Sequence, residues 1–268
     1  MIAMLACSVA FPAYQLVWSD EFSADGPPDP AKWSCEVGFV RNQELQFFLP
    51  DNVFVKNGLL VLEARKERLK NPNYLENVPD PTSPNAWMKT REYAEYTSGS
   101  VTTKGLASWK YGRIEVRAKI DTQNGLWPAI WTKGTERPWP DSGEVDLMEF
   151  QKGNLVRTNL IWGGGPAAIK TRIPLPELLK KDRNWGEKFH VWREDWDKDS
   201  ISIYIDGVLQ SRADLATTTN LDGINPFQQP HFLLMNFAIG STGGDPSKST
   251  FPAQFQVDYV RIYQQIAQ

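Results

Sequence analysis

The sequence has only two cysteines, Cys7 and Cys35, and only two histidines among its 268 residues. Two cysteines cannot build a disulfide framework, and two histidines cannot form a zinc site without acidic partners. Blocks of like charge are also missing, since 29 basic and 32 acidic residues are scattered along the chain. This distribution gives no indication of a nucleic-acid partner or of a basic helix that binds a membrane surface.

The one notable apolar stretch opens the chain, at residues 1–13 (MIAMLACSVAFPA). It has the length of a signal-peptide core but lacks a basic start, and it is too short to span a bilayer. We interpret it as the remnant of an export signal, which predicts a secreted, periplasmic or cell-surface protein. Met4–Cys7 loosely matches a lipoprotein cleavage site, which would make Cys7 a lipid anchor; a cleaved or disordered tail is the alternative. Residues 14–268 are then expected to form a single domain, and we expect a monomer.

Aromatic residues are abundant, with 11 Trp, 13 Phe and 8 Tyr. Most of them are needed in the hydrophobic core. Aromatic faces also stack on the apolar faces of sugar rings, so the excess suggests a carbohydrate-binding cleft.

Segments of alternating apolar and polar residues dominate the chain and predict β-strands. The clearest is a hairpin across Asn57-Gly58, a pair that favours a two-residue turn. Further alternating segments are 112–120, 201–205 and 255–263. A helix is predicted only over Leu175–Lys181. Many closely spaced strands separated by turn residues predict an all-β fold of two packed antiparallel sheets.

The most informative segment is 142–150 (SGEVDLMEF), which carries three acidic residues on one predicted strand. Because side chains alternate between the two faces of a strand, Glu144 and Asp146 share a face. Glu149 lies three residues beyond Asp146 and would face the other way on a regular strand. A β-bulge at Leu147-Met148 adds one residue and returns Glu149 to the shared face. We therefore predict three carboxyl groups on one surface of an otherwise apolar strand.

Clustered carboxylates repel one another, so their pKa values must be pushed apart. Glycoside hydrolysis uses such a separation, because one carboxylate attacks the anomeric carbon while a carboxylic acid protonates the leaving oxygen. A solvated strand face or a structural acid network is the alternative interpretation. The neighbouring Trp127, Trp131 and Trp139 favour a cleft instead.

The segment Glu144–Glu149 resembles the bulged active-site motif of glycoside hydrolase family 16, whose laminarinase-like branch has the form E-x-D-x-x-E. Further segments resembling this family follow in order through nearly the whole chain, including Leu16–Phe22, Asn42–Gln46, Gly125–Trp131 and Val257–Arg261. One such match alone is weak, but together they are specific.

The resemblance implies a β-sandwich jelly roll of two curved antiparallel sheets with a concave substrate cleft. It implies hydrolysis with retention of configuration and without a cofactor. Glu144 would be the nucleophile and Glu149 the acid/base, and Asp146 would hydrogen-bond the nucleophile. The residues expected to bind substrate are Asn42, Trp127 and Trp131 on the glycone side, together with Trp139 and a Trp162 that projects beside Glu149.

Many family members also hold a structural calcium ion on the convex face. The positions that match its ligands in this sequence are the backbone of Glu21, the backbone of Gly58 and the side chain of Asp258. The resemblance thus suggests a calcium site at these three residues.

Two substrate classes are compatible with the resemblance. Laminarinase-like members cut β-1,3-glucan, which is the first choice because most members of this branch do so. Many of them carry a histidine in the strand after the acids, where this chain has Asn159–Gly163, and the loop Asn71–Arg91 is longer than a bare laminarinase requires. Both departures favour an endo-β-galactosidase acting on mucin-type O-glycans or galactans, with the loop bordering the cleft. A non-catalytic jelly-roll lectin is an alternative of another class, although it would not need the three acids.

Overall fold

The computed structural model describes residues 14–164 and 169–266. Residues 1–13, which the sequence analysis interpreted as the remnant of an export signal and which include Cys7, lie outside the described residues. Within those ranges, no helix is long and apolar enough to cross a membrane.

The described residues form nineteen strands and two short α-helices. The strands are β1 (Tyr14–Asp20), β2 (Ser34–Cys35), β3 (Gln46–Phe48), β4 (Val53–Lys56), β5 (Leu59–Ala64), β6 (Leu69–Lys70), β7 (Tyr93–Ala94), β8 (Tyr96–Ser98), β9 (Ser100–Thr102), β10 (Gly112–Lys119), β11 (Leu126–Gly134), β12 (Glu144–Gln151), β13 (Leu155–Ile161), β14 (Ile169–Pro174), β15 (His190–Trp196), β16 (Ser200–Ile205), β17 (Val208–Asp214), β18 (His231–Ile239) and β19 (Ala253–Gln265). The helices are α1 (Trp87–Thr90) and α2 (Leu175–Lys181).

Two large sheets contain most of these strands. An eight-stranded sheet has the order β17-β16-β15-β10-β19-β5-β4, with β1 also paired to β19. A seven-stranded sheet has the order β14-β13-β12-β11-β18-β9-β2. The strand pairs within both sheets are antiparallel, so the predicted all-β fold of two antiparallel sheets is confirmed.

The predicted elements form where the sequence pattern placed them. In β10, alternate residues are buried, because Ile114, Val116 and Ala118 face the other sheet. The hairpin β4–β5 pairs Lys56 with Leu59, and Asn57 and Gly58 both take positive φ angles, as the tight turn requires. Helix α2 has the predicted bounds.

The hydrophobic core lies between the two large sheets. Fully buried side chains from both sheets meet there, and each large apolar side chain contributes about 1.5–3 kcal/mol by leaving water. The largest are Trp192 and Phe255 from the eight-stranded sheet and Ile130, Leu147, Phe150 and Phe237 from the seven-stranded sheet. Because one face of each strand packs in this core, only the opposite face is available to form a binding site.

A small extra layer flanks the seven-stranded sheet. Strands β3 and β8 pair in parallel, and β6 pairs with β7 on either side of the loop Asn71–Arg91. The loop contains helix α1, which the sequence analysis did not predict. Trp87 and Met88 of this helix pack on a cluster of Phe39, Phe47 and Ala94, so the loop rests on the segment that leads into β3.

Candidate active site

The three acids lie on β12, and a bulge brings them to one face. Opposite β12, Asp146 pairs with Asn159 and Glu149 pairs with Arg157, so β12 has one residue more than β13 between these pairs. The extra residue is accommodated at Leu147 and Met148, which are consecutive and both buried in the core. The predicted bulge is therefore confirmed, and it turns Glu149 to the face shared with Asp146 and Glu144.

This face of the seven-stranded sheet forms one wall of a cavity of about 290 Å³. Strand β11 contributes four side chains by its regular alternation, β18 contributes one, and the segment before β3 and the loop before β12 close the sides. The lining residues are Arg41, Asn42, Glu44, Trp127, Ala129, Trp131, Lys133, Trp139, Glu144, Asp146, Glu149 and Asn236.

Four of the five predicted substrate-binding residues line this cavity: Asn42, Trp127, Trp131 and Trp139. Trp139 is the most open of these tryptophans, with 55% of its surface exposed at the rim. Stacking surfaces for sugar rings therefore lie beside the acids, as a glycan-binding cleft requires.

The prediction for Trp162 is wrong. Its side chain is buried in the core between the sheets and packs edge-on against Phe227. Side chains alternate between the two faces of a strand. Asn159 faces the acids, so Trp162, three residues further along, points to the opposite face. The residue of β13 that faces Glu144 across the strands is Ile161.

Hydrogen-bond donors converge on Glu149. Trp127 Nε1 and Gln151 Nε2 both donate to Glu149 Oε1 at 3.0 Å, and Asn159 Nδ2 donates to Oε2. Arg157 holds Gln151 in place through a 2.6 Å bond from Nη1 to Oε1. These contacts fix the orientation of the Glu149 carboxyl and favour its ionised form.

The hydrogen-bond partner that the described structure shows for Asp146 is Asn159, whose Nδ2 donates to Asp146 Oδ2 at 2.8 Å. Because the bulge brings Glu149 to the same face, the Asp146 and Glu149 carboxyls also lie close enough for each to affect the pKa of the other. The expected hydrogen bond from Asp146 to Glu144 stays a prediction.

Burial and mutual repulsion raise the pKa of all three acids. Burial, followed by the charge of Glu149, raises the pKa of Glu144 to about 7, against the opposing effects of Lys133 and of the nearby Trp139 indole. Burial and the two neighbouring carboxylates raise the pKa of Asp146 well above its usual range. Burial also raises the pKa of Glu149, opposed by Arg157 and the donors named above. The ionisation of each of the three acids therefore depends on the charge of the others.

The other side of the cavity has a second polar group of residues. The Arg41 guanidinium lies over the Trp131 ring, 5.3 Å from its centroid, and forms an ion pair with Glu36. Glu44 is buried, which raises the pKa of its carboxyl, and it accepts hydrogen bonds from Asn42 and Gln46.

Asn236 fixes Trp131 from β18. Its Oδ1 accepts a 2.8 Å hydrogen bond from Trp131 Nε1. None of Arg41, Lys133 and Asn236 was predicted from the sequence. Lys133 could have been predicted, because it continues the alternation of Trp127 and Trp131 along one strand face. No sequence pattern predicts Arg41 or Asn236 in the cavity.

Backbone strain marks the segment that carries Asn42 and Glu44. Asn42 and Gln43 have φ angles of 56° and 51°, a left-handed conformation that side-chain-bearing residues seldom adopt in succession. Arg91, at the end of the long loop, donates hydrogen bonds to the carbonyls of Gln43 and Glu44. The loop thus contacts the segment that carries Asn42 and Glu44, but none of its residues lines the cavity, so its predicted place beside the cleft is indirect.

The side chains at the suggested calcium positions are already engaged. Asp258 forms an ion pair with Arg117, and the Glu21 carboxylate forms a paired contact with Arg261 at 2.8–2.9 Å. Within 14–164 and 169–266, no group of three or more acidic, histidine or cysteine side chains could hold a metal ion. Calcium takes six to eight oxygen ligands, so a single carboxylate that is paired with an arginine does not form a calcium site in this arrangement. The calcium site stays a prediction.

Three buried carboxyl groups with raised pKa values, beside tryptophans that can stack on sugars, form the kind of site that hydrolyses glycosidic bonds. Residues 46–261 match the sequence profile of the glycosyl hydrolases family 16, which covers most of the chain. The chain belongs to this family.

Known proteins similar to the chain include glucan- and glycan-degrading enzymes. A β-glucanase of Rhodothermus marinus is 36% identical, over 94% of this chain and 86% of that protein. The catalytic domain of an endo-1,3-β-glucanase (laminarinase) from Thermotoga petrophila has a TM-score of 0.80 at 32% identity, over 96% of this chain and 100% of that one. A solved structure from work on endo-acting O-glycanases of the human gut microbiota that initiate mucin breakdown has a TM-score of 0.82 at 34% identity, over 94% and 91%. These similarities confirm the predicted jelly-roll fold and the assignment as a glycoside hydrolase.

Proposed function

We propose that the protein is a retaining endo-β-glycosidase that hydrolyses internal linkages of a β-1,3-glucan of the laminarin type. The observation that carries the proposal is the bulge of β12, which gathers three carboxyl groups in a cavity lined by tryptophans. The β-glucanase and the laminarinase described above support the choice of glucan.

The proposed mechanism uses two of the acids directly. The ionised Glu144 attacks the anomeric carbon, while Glu149 in its protonated form donates its proton to the leaving oxygen. A glycosyl ester then forms on Glu144 and the leaving sugar departs. Water attacks the ester with Glu149 as base, which releases Glu144 and returns the original configuration.

The proposal is tested by supplying laminarin, lichenan, agarose and mucin in parallel and measuring the release of reducing ends. We expect the largest release from laminarin, with oligosaccharide products, and a β anomer as the first product in proton NMR. An initial α anomer would contradict retention. Tight binding to one polymer without any release would favour the lectin alternative.

A second substrate class is favoured by a specific observation in β13. Asp146 and Glu149 of β12 contact Asn159 of β13, a strand that carries a histidine in many laminarinases. The chain is also similar to a structure from work on endo-acting O-glycanases that initiate mucin breakdown. We therefore propose endo-β-galactosidase activity on mucin-type O-glycans or galactans as the alternative. Greater release from mucin than from laminarin would establish it over the glucanase.

The long loop provides a test of what sets specificity. Arg91→Ala removes the donors to the carbonyls of Gln43 and Glu44, so Asn42 and Glu44 should move relative to the sugar hydroxyls. A hydrogen bond lost to one hydroxyl costs about 1 kcal/mol, or about fivefold. We expect the ratio of kcat/KM on laminarin to that on galactose-containing glycans to change by about this factor.

The matched control for Arg91→Ala is Arg68→Ala, because Arg68 is an exposed arginine near the loop that pairs with Glu95. The control should leave the substrate ratio unchanged. Equal effects of both substitutions, or no effect of Arg91→Ala, would remove the loop from the determination of specificity.

We further propose that the protein is exported, supported by the apolar stretch at residues 1–13. Mass spectrometry of protein recovered outside the producing cell checks this, because export predicts loss of the stretch, and a lipid anchor predicts a lipid-modified Cys7. Recovery only inside the cell with residues 1–13 intact would contradict it.

Any calcium ion at Glu21, Gly58 and Asp258 would act on stability, because all three lie in or beside the eight-stranded sheet, away from the acids of β12. Asp258 would have to release Arg117 to bind the ion. If the site binds calcium, calcium chloride should raise the melting temperature relative to EGTA while leaving turnover unchanged. An unchanged melting temperature would refute the site.

A further inference from the structure

Lys133 is one of two positively charged residues, with Arg41, that line the cavity of the three acids. It lies near the end of β11, on the face that carries Trp127 and Trp131. Its direct cross-strand partner on β12 is Glu144. Directly opposed residues in antiparallel strands have Cβ atoms about 4.5–5.5 Å apart, so the two side chains leave the sheet together on the cavity side.

The surroundings of Lys133 make this amine an unusual choice for the position. It is half-buried, and burial together with the charges of Lys104 and Arg41 lowers the pKa of the amine, whereas Glu144 opposes that effect. On its other side β18 places the apolar Phe232, which already lies under the Lys104 amine. The attraction to a neighbouring carboxylate is therefore the interaction that favours a lysine at this position.

Lys133 and Glu144 do not form a direct ion pair in the described structure, although each affects the charge of the other. This arrangement suits a nucleophile. A carboxylate held in a tight ion pair would lose an oxygen to its partner, whereas a nearby charge favours ionisation and leaves both oxygens free to attack.

The charged groups that face Glu144 come from three elements. Strand β12 itself supplies Asp146 and Glu149, which oppose its ionisation, and β11 supplies Lys133. The segment before β3 supplies Arg41, whose charge is largely committed to Glu36. Strand β13 presents the uncharged Ile161.

We infer that Lys133 is a positioning residue that supplies the counter-charge for the nucleophile Glu144 in the reaction proposed above. Its opposite charge offsets the repulsion from Asp146 and Glu149 and favours the ionised form of Glu144 that the reaction needs. The inference rests on the proposed function, because it assigns a role toward the nucleophile of that mechanism.

The test is the pH profile of kcat/KM for wild type, Lys133→Met and Lys133→Arg on the best substrate of the panel. Loss of an opposite charge at this range moves the pKa of a carboxyl by about one unit or more. In Lys133→Met the Glu144 pKa rises, so the acidic limb should move up by about one pH unit, with about tenfold lower activity on that limb and little change in KM. Lys133→Arg should restore the wild-type limb.

Lys56→Met is the matched control, because Lys56 is exposed on the hairpin β4–β5 of the other sheet. It should leave the profile unchanged, and all variants should keep the wild-type melting temperature. An unmoved acidic limb in Lys133→Met would overturn the inference. So would a raised KM with an unmoved limb, which would make Lys133 a substrate-binding residue. Wild-type inactivity on every glycan would instead contradict the proposed function.

Discussion

Replacing Glu144 with glutamine is expected to reduce kcat by more than about 10⁴-fold, beyond the range that loss of general acid–base help produces. The amide is neutral and a poor nucleophile, so no glycosyl ester can form. The shape of the cavity is kept, and the repulsion from Asp146 and Glu149 is relieved. Oligosaccharide binding, measured by calorimetry, should therefore be retained or tightened.

The control for this variant is Glu177→Gln, a change of the same chemistry at an exposed acid of helix α2. It should retain wild-type kcat and binding. Residual turnover above about one per cent in Glu144→Gln, after contaminating wild-type protein is excluded, would show that another group attacks the sugar. Asp146 would be the first to examine, because it lies on the same face two residues away.

The bulge could be predicted from the sequence because the parity of the motif demands it. Glu144 and Asp146 are an even number of residues apart and Asp146 and Glu149 an odd number, so three acids share a face only if one residue is added between them. The two apolar residues in that interval, Leu147 and Met148, can both enter the core, as the structure shows. The local sequence pattern was sufficient to predict the bulge, because burial of Leu147 and Met148 in the core favours it.

Trp162 shows where the same reasoning failed. Its aromatic character suggested a sugar platform, but the face of a residue on β13 depends on which residue of that strand contacts the acids. That residue is Asn159, which bonds both Asp146 and Glu149. Because Asn159 faces the cavity, the alternation of side chains directs Trp162 into the core, where burial of its large apolar surface is favourable.

Contacts between distant segments account for what the sequence could not predict. Arg91 bonds the backbone of Gln43 and Glu44 across 47–48 residues of chain, and no periodic pattern encodes that contact. The pairing of Lys133 with Glu144 depends on the register of β11 against β12, which the bulge shifts by one residue.

Replacing Glu149 with alanine is expected to slow hydrolysis of the natural polysaccharide by about 10²–10⁴-fold, because the sugar oxygen must then leave without a proton. Glycosides with an acidic leaving group, such as a dinitrophenol, need no proton and should still form the glycosyl ester on Glu144 at near wild-type rate.

Removal of this ester should then be the slow step in Glu149→Ala, because no base remains to activate water. Dinitrophenol should therefore be released in a burst, followed by slow turnover. Azide is a nucleophile that needs no base, so its addition should speed turnover and yield a β-glycosyl azide, which NMR identifies. Glu177→Ala should show neither the burst nor the azide effect. An α-glycosyl azide, or equal slowing on natural and activated substrates, would contradict the assignment of Glu149 as the acid/base of a retaining enzyme.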